Sequence, residues 1–254
     1  VRFGLWRVAR AAAGLVSNPA VRLIRRRFES QICSHADLES IAAGYPVELA
    51  YCLALISALE EDGSDSSITP RWVLHNYPDV ERIMFLLRSA PCAEGCPYCN
   101  KALDIHAGLK KWFGYDSFRE YGGEPLQEKA VKAAVENRSL LAVFPTGGGK
   151  SLTFQLPALM AGRNTGGLTV VISPLQSLMK DQVDNLEKRG ITDAVTINGL
   201  LDPIERAKSV ERVEDGSATM LYISPESLRS KTIERLLLGR KIVRFVIDEA
   251  HCFS

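Results

Sequence analysis

The stretch Leu140-Leu141-Ala142-Val143-Phe144-Pro145-Thr146-Gly147-Gly148-Gly149-Lys150-Ser151 decides the fold. An apolar, strand-like run, Leu140 to Val143, delivers the chain into three consecutive glycines. The segment after them, Ser151 to Met160, carries Leu152, Leu156 and Leu159 at helical spacing. Glycines lack Cβ atoms, so successive N–H groups can curl round a phosphate chain, and the positive end of the following helix points at the same phosphates. Thr146, Gly147, Gly148, Gly149, Lys150 and Ser151 are therefore candidates to hold a nucleotide. Lys150 reaches the β and γ phosphates as a point charge, and the Ser151 hydroxyl ligates Mg2+. The general pattern opens with Gly; here that place holds Phe144.

A second element supplies the carboxylates such a loop needs. Phe245-Val246-Ile247 reads as a buried parallel strand, and it places Asp248 and Glu249 at its carboxyl end, followed by Ala250-His251-Cys252. Open α/β sheets bind their ligands at that end. Asp248 is expected to hold Mg2+, mostly through water, and Glu249 to polarise the attacking water. Lys150, Asp248, Glu249 and His251 are the catalytic candidates, and the pair of motifs predicts a nucleoside triphosphatase.

From about Leu126 the apolar pattern alternates between strand and helix. A helix from Gln127 to Asn137 precedes the loop. After it come strands at Leu168–Ile172, Ala194–Ile197, Thr219–Ile223 and Ile242–Ile247, with helices at 175–189, 203–213 and 225–238 between them. Alternation of this kind specifies a parallel sheet with helices on both faces, an α/β fold that is RecA-like in connectivity. Residues 1–111 read differently, as a small and mostly helical module with candidate helices at 36–43, 47–59 and 80–87. The boundary falls before Trp112, giving an accessory module (1–111) and a RecA-like lobe (112–254).

The 254 residues are 46% hydrophobic and 24% charged, as in a globular protein, and no apolar run approaches the roughly 18 residues a membrane helix needs. The net charge of +1 carries no overall nucleic-acid signal. Residues 1–28, however, hold seven arginines and no acid: Arg2, Arg7, Arg10, Arg22, Arg25, Arg26 and Arg27. That face meets phosphates or acidic protein, or is simply solvated. A chain beginning at Val1 and stopping just beyond the acidic motif reads as a piece of a longer protein.

Six cysteines are unevenly placed, and Cys92-x3-Cys96-x2-Cys99 groups three of them. Beside a nucleotide-binding motif of intracellular type the group reads as metal ligation or reduced thiols rather than disulfides. A fourth donor from His106, Cys33 or His75 would complete a tetrahedral zinc site, with His106 the first choice for its nearness to Cys99. An iron–sulfur cluster and ordinary buried thiols stay open as alternatives.

Further motifs line up in order along residues 108–254. They are Trp112-Phe113-Gly114-Tyr115-Asp116-Ser117-Phe118-Arg119, Leu126-Gln127-Glu128, the glycine loop, Ile172-Ser173-Pro174-Leu175-Gln176-Ser177-Leu178-Met179-Lys180-Asp181-Gln182-Val183, Tyr222-Ile223-Ser224-Pro225-Glu226-Ser227-Leu228, and Asp-Glu-Ala-His-Cys. This series resembles the RecQ family of DNA helicases; residues 1–107 carry no such likeness. The resemblance implies ATP and Mg2+ as cofactors and DNA, single-stranded or partly duplex, as partner. It implies 3′-to-5′ unwinding, an intracellular location with the DNA, and a place in DNA repair and recombination.

Position by position, the resemblance implies that Tyr115, Arg119 and Gln127 cradle the adenine, with Gln127 reading its edge. Ser173, Pro174 and Leu175, with Ser224, Pro225 and Glu226, would run under the nucleic-acid backbone, donating through hydroxyls and main-chain N–H groups. Where the family passes almost directly from Phe-Arg to Gln, this chain inserts Glu120-Tyr121-Gly122-Gly123-Glu124-Pro125-Leu126. The resemblance also implies a second RecA-like lobe of the same polypeptide, which supplies an arginine finger. The rival reading is a scaffold module that grips ATP or DNA without turnover.

Overall fold

Apolar residues at helical spacing make the described residues of the first part of the chain mostly helical. The fold comes from a computed structural model, which describes residues 19–62, 69–89, 92, 95–145 and 147–252; Arg2, Arg7, Arg10 and Thr146 lie outside them. Two compact units result, one of residues 1–104 with 163–165 and one of 105–162 with 166–254. The break after Asp104 precedes the boundary read from the sequence at Trp112.

The first unit contains α1 (Pro19–Arg27), α2 (Leu38–Gly44), α3 (Pro46–Asp62), α4 (Arg71–Asn76), α5 (Asp79–Arg88) and α6 (Pro97–Ala102). In α5 the residues Val80, Ile83, Met84 and Leu87 fall at one face of the helix, and all four are buried. Burying one such side chain contributes about 1.5–3 kcal/mol. They pack with Leu38, Ile41, Leu49 and Ile56 into a single core that also takes in Cys33, Cys52, Cys96 and Cys99. The sequence alone missed α1, α4 and α6, which are short, and α1 ends in three arginines that mask its apolar stripe.

The second unit contains α7 (Ile105–Phe113), α8 (Leu126–Val135), most of α9 (Leu152–Thr165), β1 (Leu168–Ile172), α10 (Gln176–Glu187), β2 (Ala194–Ile197), α11 (Pro203–Glu214), β3 (Met220–Ile223), α12 (Lys231–Leu238) and β4 (Ile242–Ile247). The strands form one parallel sheet in the order β2-β3-β1-β4. Val170 of β1 pairs with Leu221 of β3 on one side and Phe245 of β4 on the other. The step from β1 to β2 runs one way along the sheet, and the steps to β3 and then β4 run the other. Right-handed crossovers therefore put α10 on one face and α11 and α12 on the opposite face. Every residue of β1, β2 and β3 is buried, as parallel strands covered on both sides require.

Three expectations fail here. The strand ending Phe245-Val246-Ile247 is parallel but not buried: β4 is an edge strand, and Phe245 and Ile247 are 57% and 54% exposed. The run Leu140–Val143 is not a strand: Leu141 and Val143 are 84% and 81% exposed, and no strand of the sheet pairs with it. Apolar content proposes a strand, but a ladder partner has to complete it. The helix expected across 225–238 is broken: Pro225–Arg229 is a 3-10 turn, and α12 starts only at Lys231.

Candidate functional site

The glycine loop is held from behind, carbonyl by carbonyl. The Arg119 guanidinium donates to Gly147 O at 3.0 Å, the Tyr121 hydroxyl donates to Gly148 O, and Gln127 Nε2 donates to Gly149 O at 3.1 Å. In a trans peptide the next N–H points opposite to its carbonyl. Fixing the carbonyls of Gly148 and Gly149 therefore turns the N–H groups of Gly149 and Lys150 the other way, toward where phosphates belong. Gly147 and Gly149 have φ of +72° and +69°, a region glycine enters without cost. At Gly149 a Cβ would also stand 2.8 Å from Gln127 Nε2. Tyr121 belongs to the inserted segment, whose contact with the loop no motif signals.

Lys150 closes the front. Its Nζ donates to Glu249 Oε1 at 2.9 Å, joining the loop to the end of β4. The backbone at Glu249 is left-handed, with φ of +51°, a strain of roughly 1–2 kcal/mol for a side chain with a Cβ. Such strain collects at functional sites. The strand end is anchored by Asp248 N donating to Ile172 O at 2.9 Å, and Asp248 Oδ1 accepts the Glu249 N–H at 3.0 Å. The two carboxyls are pushed apart. Burial, with the Glu249 charge beside it, holds Asp248 above the usual carboxylate range, whereas the Lys150 hydrogen bond holds Glu249 below it. His251 Nδ1 lies 3.4 Å from Glu249 Oε2, and its side chain is 76% exposed.

Ser151 is positioned by a chain of amides. Gln182 Nε2 donates to Ser151 Oγ at 3.0 Å, and Gln155 Nε2 donates both to Gln182 Oε1 at 2.8 Å and to the Tyr222 hydroxyl at 3.1 Å. The hydroxyl keeps a lone pair and its own proton for further partners. The Ser151 hydroxyl and the Asp248 carboxylate are hard oxygen donors of the kind magnesium takes. The loop cation and the N-terminus of α9 suit the phosphates it accompanies.

Beside the loop lies a cavity of about 650 Å3 whose lining includes Tyr115, Arg119, Gln127 and Arg189. Tyr115 is 45% exposed, its ring is nearly parallel to that of Phe113, and the Arg189 guanidinium lies 5.6 Å from its centroid. Arg189 also donates to the Tyr115 hydroxyl at 3.2 Å. Gln127 is buried; its Oε1 accepts Arg119 N–H at 2.9 Å and its Nε2 serves Gly149. An amide has two donors and two lone pairs, so one of each remains for a base edge. The three residues named from the sequence are thus in one place, and Arg189 joins them unforeseen.

The serines expected to reach nucleic acid do not present their hydroxyls. Ser173 is 1% exposed, its Oγ is enclosed with no partner among the described residues, and its N–H is already bonded to Ile223 O. Ser224 is 4% exposed, and its Oγ pairs with Ser227 Oγ at 3.0 Å. Both close a strand end, and burial there turns the hydroxyl inward. Leu175 and Glu226 are exposed, and Pro174 and Pro225 are half-buried.

In the first unit, the sulfurs of Cys33, Cys92, Cys96 and Cys99 all lie within 4.8 Å of one another. The fourth member is Cys33, not His106: His106 Nε2 is 3.0 Å from Glu128 Oε1, and its ring packs edge-on against Phe118. Nearness in sequence favoured His106, but the chain turns the histidine into the second unit.

The glycine loop, the acidic strand end and the amide chain thus meet in one place. Residues 124–254 match the family model described as DEAD/DEAH box helicase. The chain belongs to that family. It is similar to the ATP-dependent DNA helicase RecQ of Bacillus subtilis, 43% identical over 147 residues, and to that of Haemophilus influenzae, 41% identical over 146. Each alignment takes in 58% of this chain. The ATP-dependent helicase SGS1 of Saccharomyces cerevisiae is 38% identical over 146 residues, 55% of this chain. The chain spans 23%, 22% and 10% of the length of these three relatives. Among the described residues no single helix is long and apolar enough to cross a membrane.

Proposed function

We propose that the second unit is the first motor lobe of a RecQ-type helicase, one that couples ATP hydrolysis to 3′-to-5′ separation of DNA strands. The observation that carries this reading is the 2.9 Å pairing of Lys150 with Glu249. It puts the phosphate-holding cation and the carboxylate at the strand end in the same place. Lys150 and the loop N–H groups hold the triphosphate, while Tyr115, Arg119 and Gln127 take the adenine. Glu249, kept ionised, orients the attacking water and accepts its proton. Ser151 and Asp248 would hold a magnesium ion, which neutralises phosphate charge when bound.

The single-stranded backbone runs over Ser173-Pro174-Leu175 and Ser224-Pro225-Glu226. Its exposed residues are Leu175 and Glu226, because the two serine hydroxyls are turned inward. An arginine from a second RecA-like lobe of the same polypeptide completes the charge stabilisation, a term worth roughly 10³–10⁵ in rate. This reading places the protein inside the cell with its DNA. The test is strand separation by the full-length protein on duplexes with a 3′ or a 5′ single-stranded tail. Unwinding of the 3′-tailed duplex alone, dependent on ATP and Mg2+, is expected; unwinding only from a 5′ tail would overturn the polarity.

A further inference from the structure

Four cysteine sulfurs gather in the core of the helical unit, and the nucleotide chemistry uses none of them. Cys33 sits in the turn between α1 and α2, Cys92 and Cys96 in the connection from α5 to α6, and Cys99 on α6. All four sulfurs fall within 4.8 Å of one another, and Cys33, Cys96 and Cys99 are at most 6% exposed. None of these residues is in a disulfide. We propose that Cys33, Cys92, Cys96 and Cys99 are the four ligands of one structural zinc ion, which staples the helical unit together.

The spacing decides for a single ion. Four sulfurs at about 2.3 Å from a tetrahedral centre stand roughly 3.8 Å apart, so 4.8 Å needs only a small contraction. An iron–sulfur cluster interposes several iron atoms and sulfides between its thiolates and holds them farther apart. Four soft sulfurs in tetrahedral array with no open position are the donor set of a closed structural zinc site.

The backbone round the sulfurs is already fixed. Cys33 N donates to Leu87 O at 2.8 Å, which ties the first ligand to the end of α5. The Arg25 guanidinium donates to the carbonyls of Ser34 and Ala36, on either side of the next turn. Gly95, with φ of +60°, makes the turn between Cys92 and Cys96, and Gly95 N donates to Cys92 O at 3.2 Å. Cys99 N donates to Cys96 Sγ at 3.3 Å, the N–H to sulfur bond that steadies a metal-bound thiolate. Four thiolates round a divalent ion leave a net charge of minus two. Arg88 offers the opposite charge nearby: its guanidinium lies 5.3 Å from the ring centroid of Tyr98, the residue before Cys99, and its Nε and Nη1 are buried without a partner among the described residues.

The ion joins two segments roughly sixty residues apart, a loop whose closure otherwise rests on packing and hydrogen bonds such as that from Cys33 N to Leu87 O. Binding free energy at such a site is folding free energy.

Elemental analysis of the full-length protein, with Cys33→Ser and His106→Ala beside it, tests the proposal. About one zinc per chain is expected at this site in the wild type and in His106→Ala, with that one equivalent lost in Cys33→Ser. Because Cys33→Ser can fail to fold, the wild type is also exchanged with Co2+ and its absorption read. Thiolate-to-cobalt charge transfer with the ligand-field bands of a tetrahedral four-sulfur site is expected. Loss of zinc in His106→Ala, iron with inorganic sulfide in place of zinc, cobalt bands of a mixed nitrogen–sulfur site, or no metal at all would overturn it.

Discussion

Lys150 Nζ and Glu249 Oε1 stand 2.9 Å apart, so the cation of the loop and the carboxylate at the end of β4 neutralise each other, and the proposed function makes this a pairing that substrate opens. A triphosphate entering the loop competes for Lys150. As the ammonium turns to the phosphates, Glu249 is left as an ionised carboxylate in a left-handed backbone turn, able to take a proton.

The two partners should therefore fail differently. Lys150→Ala removes a charge-assisted bond worth about 1.5–3 kcal/mol, so affinity for ATP with Mg2+ should fall by at least about tenfold. Glu249→Gln keeps the size of the side chain and deletes the base. It should bind nucleotide at least as well as wild type while hydrolysis drops by about 10²–10⁴. Titration calorimetry and single-turnover phosphate release separate the two, and equal affinity in Lys150→Ala would show that the loop has been misread.

The pair also sets a pH response. Lys150 holds Glu249 below its ordinary value of 4.5, so the ion pair stabilises the fold above that value and is lost as pH falls through the lowered one. Carboxyl NMR of Glu249 should give a midpoint under 4.5, moving upward in Lys150→Ala. A midpoint unchanged by that substitution would mean the contact does not persist in solution.

Tyr121→Phe deletes only the hydroxyl that Gly148 O accepts. A neutral hydrogen bond contributes about 1 kcal/mol, so nucleotide affinity should weaken roughly fivefold as the loop loosens. Equilibrium binding of a fluorescent ATP analogue reads this, and affinity equal to wild type would remove Tyr121 from the site.

Gln127→Ala should lower the preference for adenine over guanine nucleotides, since alanine offers no paired donor and acceptor. Competition by ATP and GTP measures it. A wild type that uses the two equally would mean that the existing bonds of Gln127 to Arg119 and Gly149 exhaust its role.

What the sequence made legible is what local chemistry determines. β1 and β2 lie where their apolar runs stood, because a buried parallel strand is apolar throughout, and β4 lies where it was read although it is a partly exposed edge strand. Lys150 and Glu249, named from the loop and the strand end, meet in the fold at 2.9 Å. What was not legible depends on partners distant in the chain. Leu140–Val143 has strand composition and no strand beside it. Tyr121 and Arg189 reach the site across folds that no spacing encodes. Cys33 took the place given to His106 because a turn beyond α1 meets the end of α5.

In the proposed function this loop and this strand end hydrolyse ATP under the control of DNA. Phosphate release by the full-length protein, with and without single-stranded DNA and with Glu249→Gln as the control, tests it most directly. Strong stimulation by DNA is expected in the wild type and none in the variant. Release that DNA leaves at background, with ATP still bound, would contradict the motor and leave a scaffold that grips nucleotide without turnover.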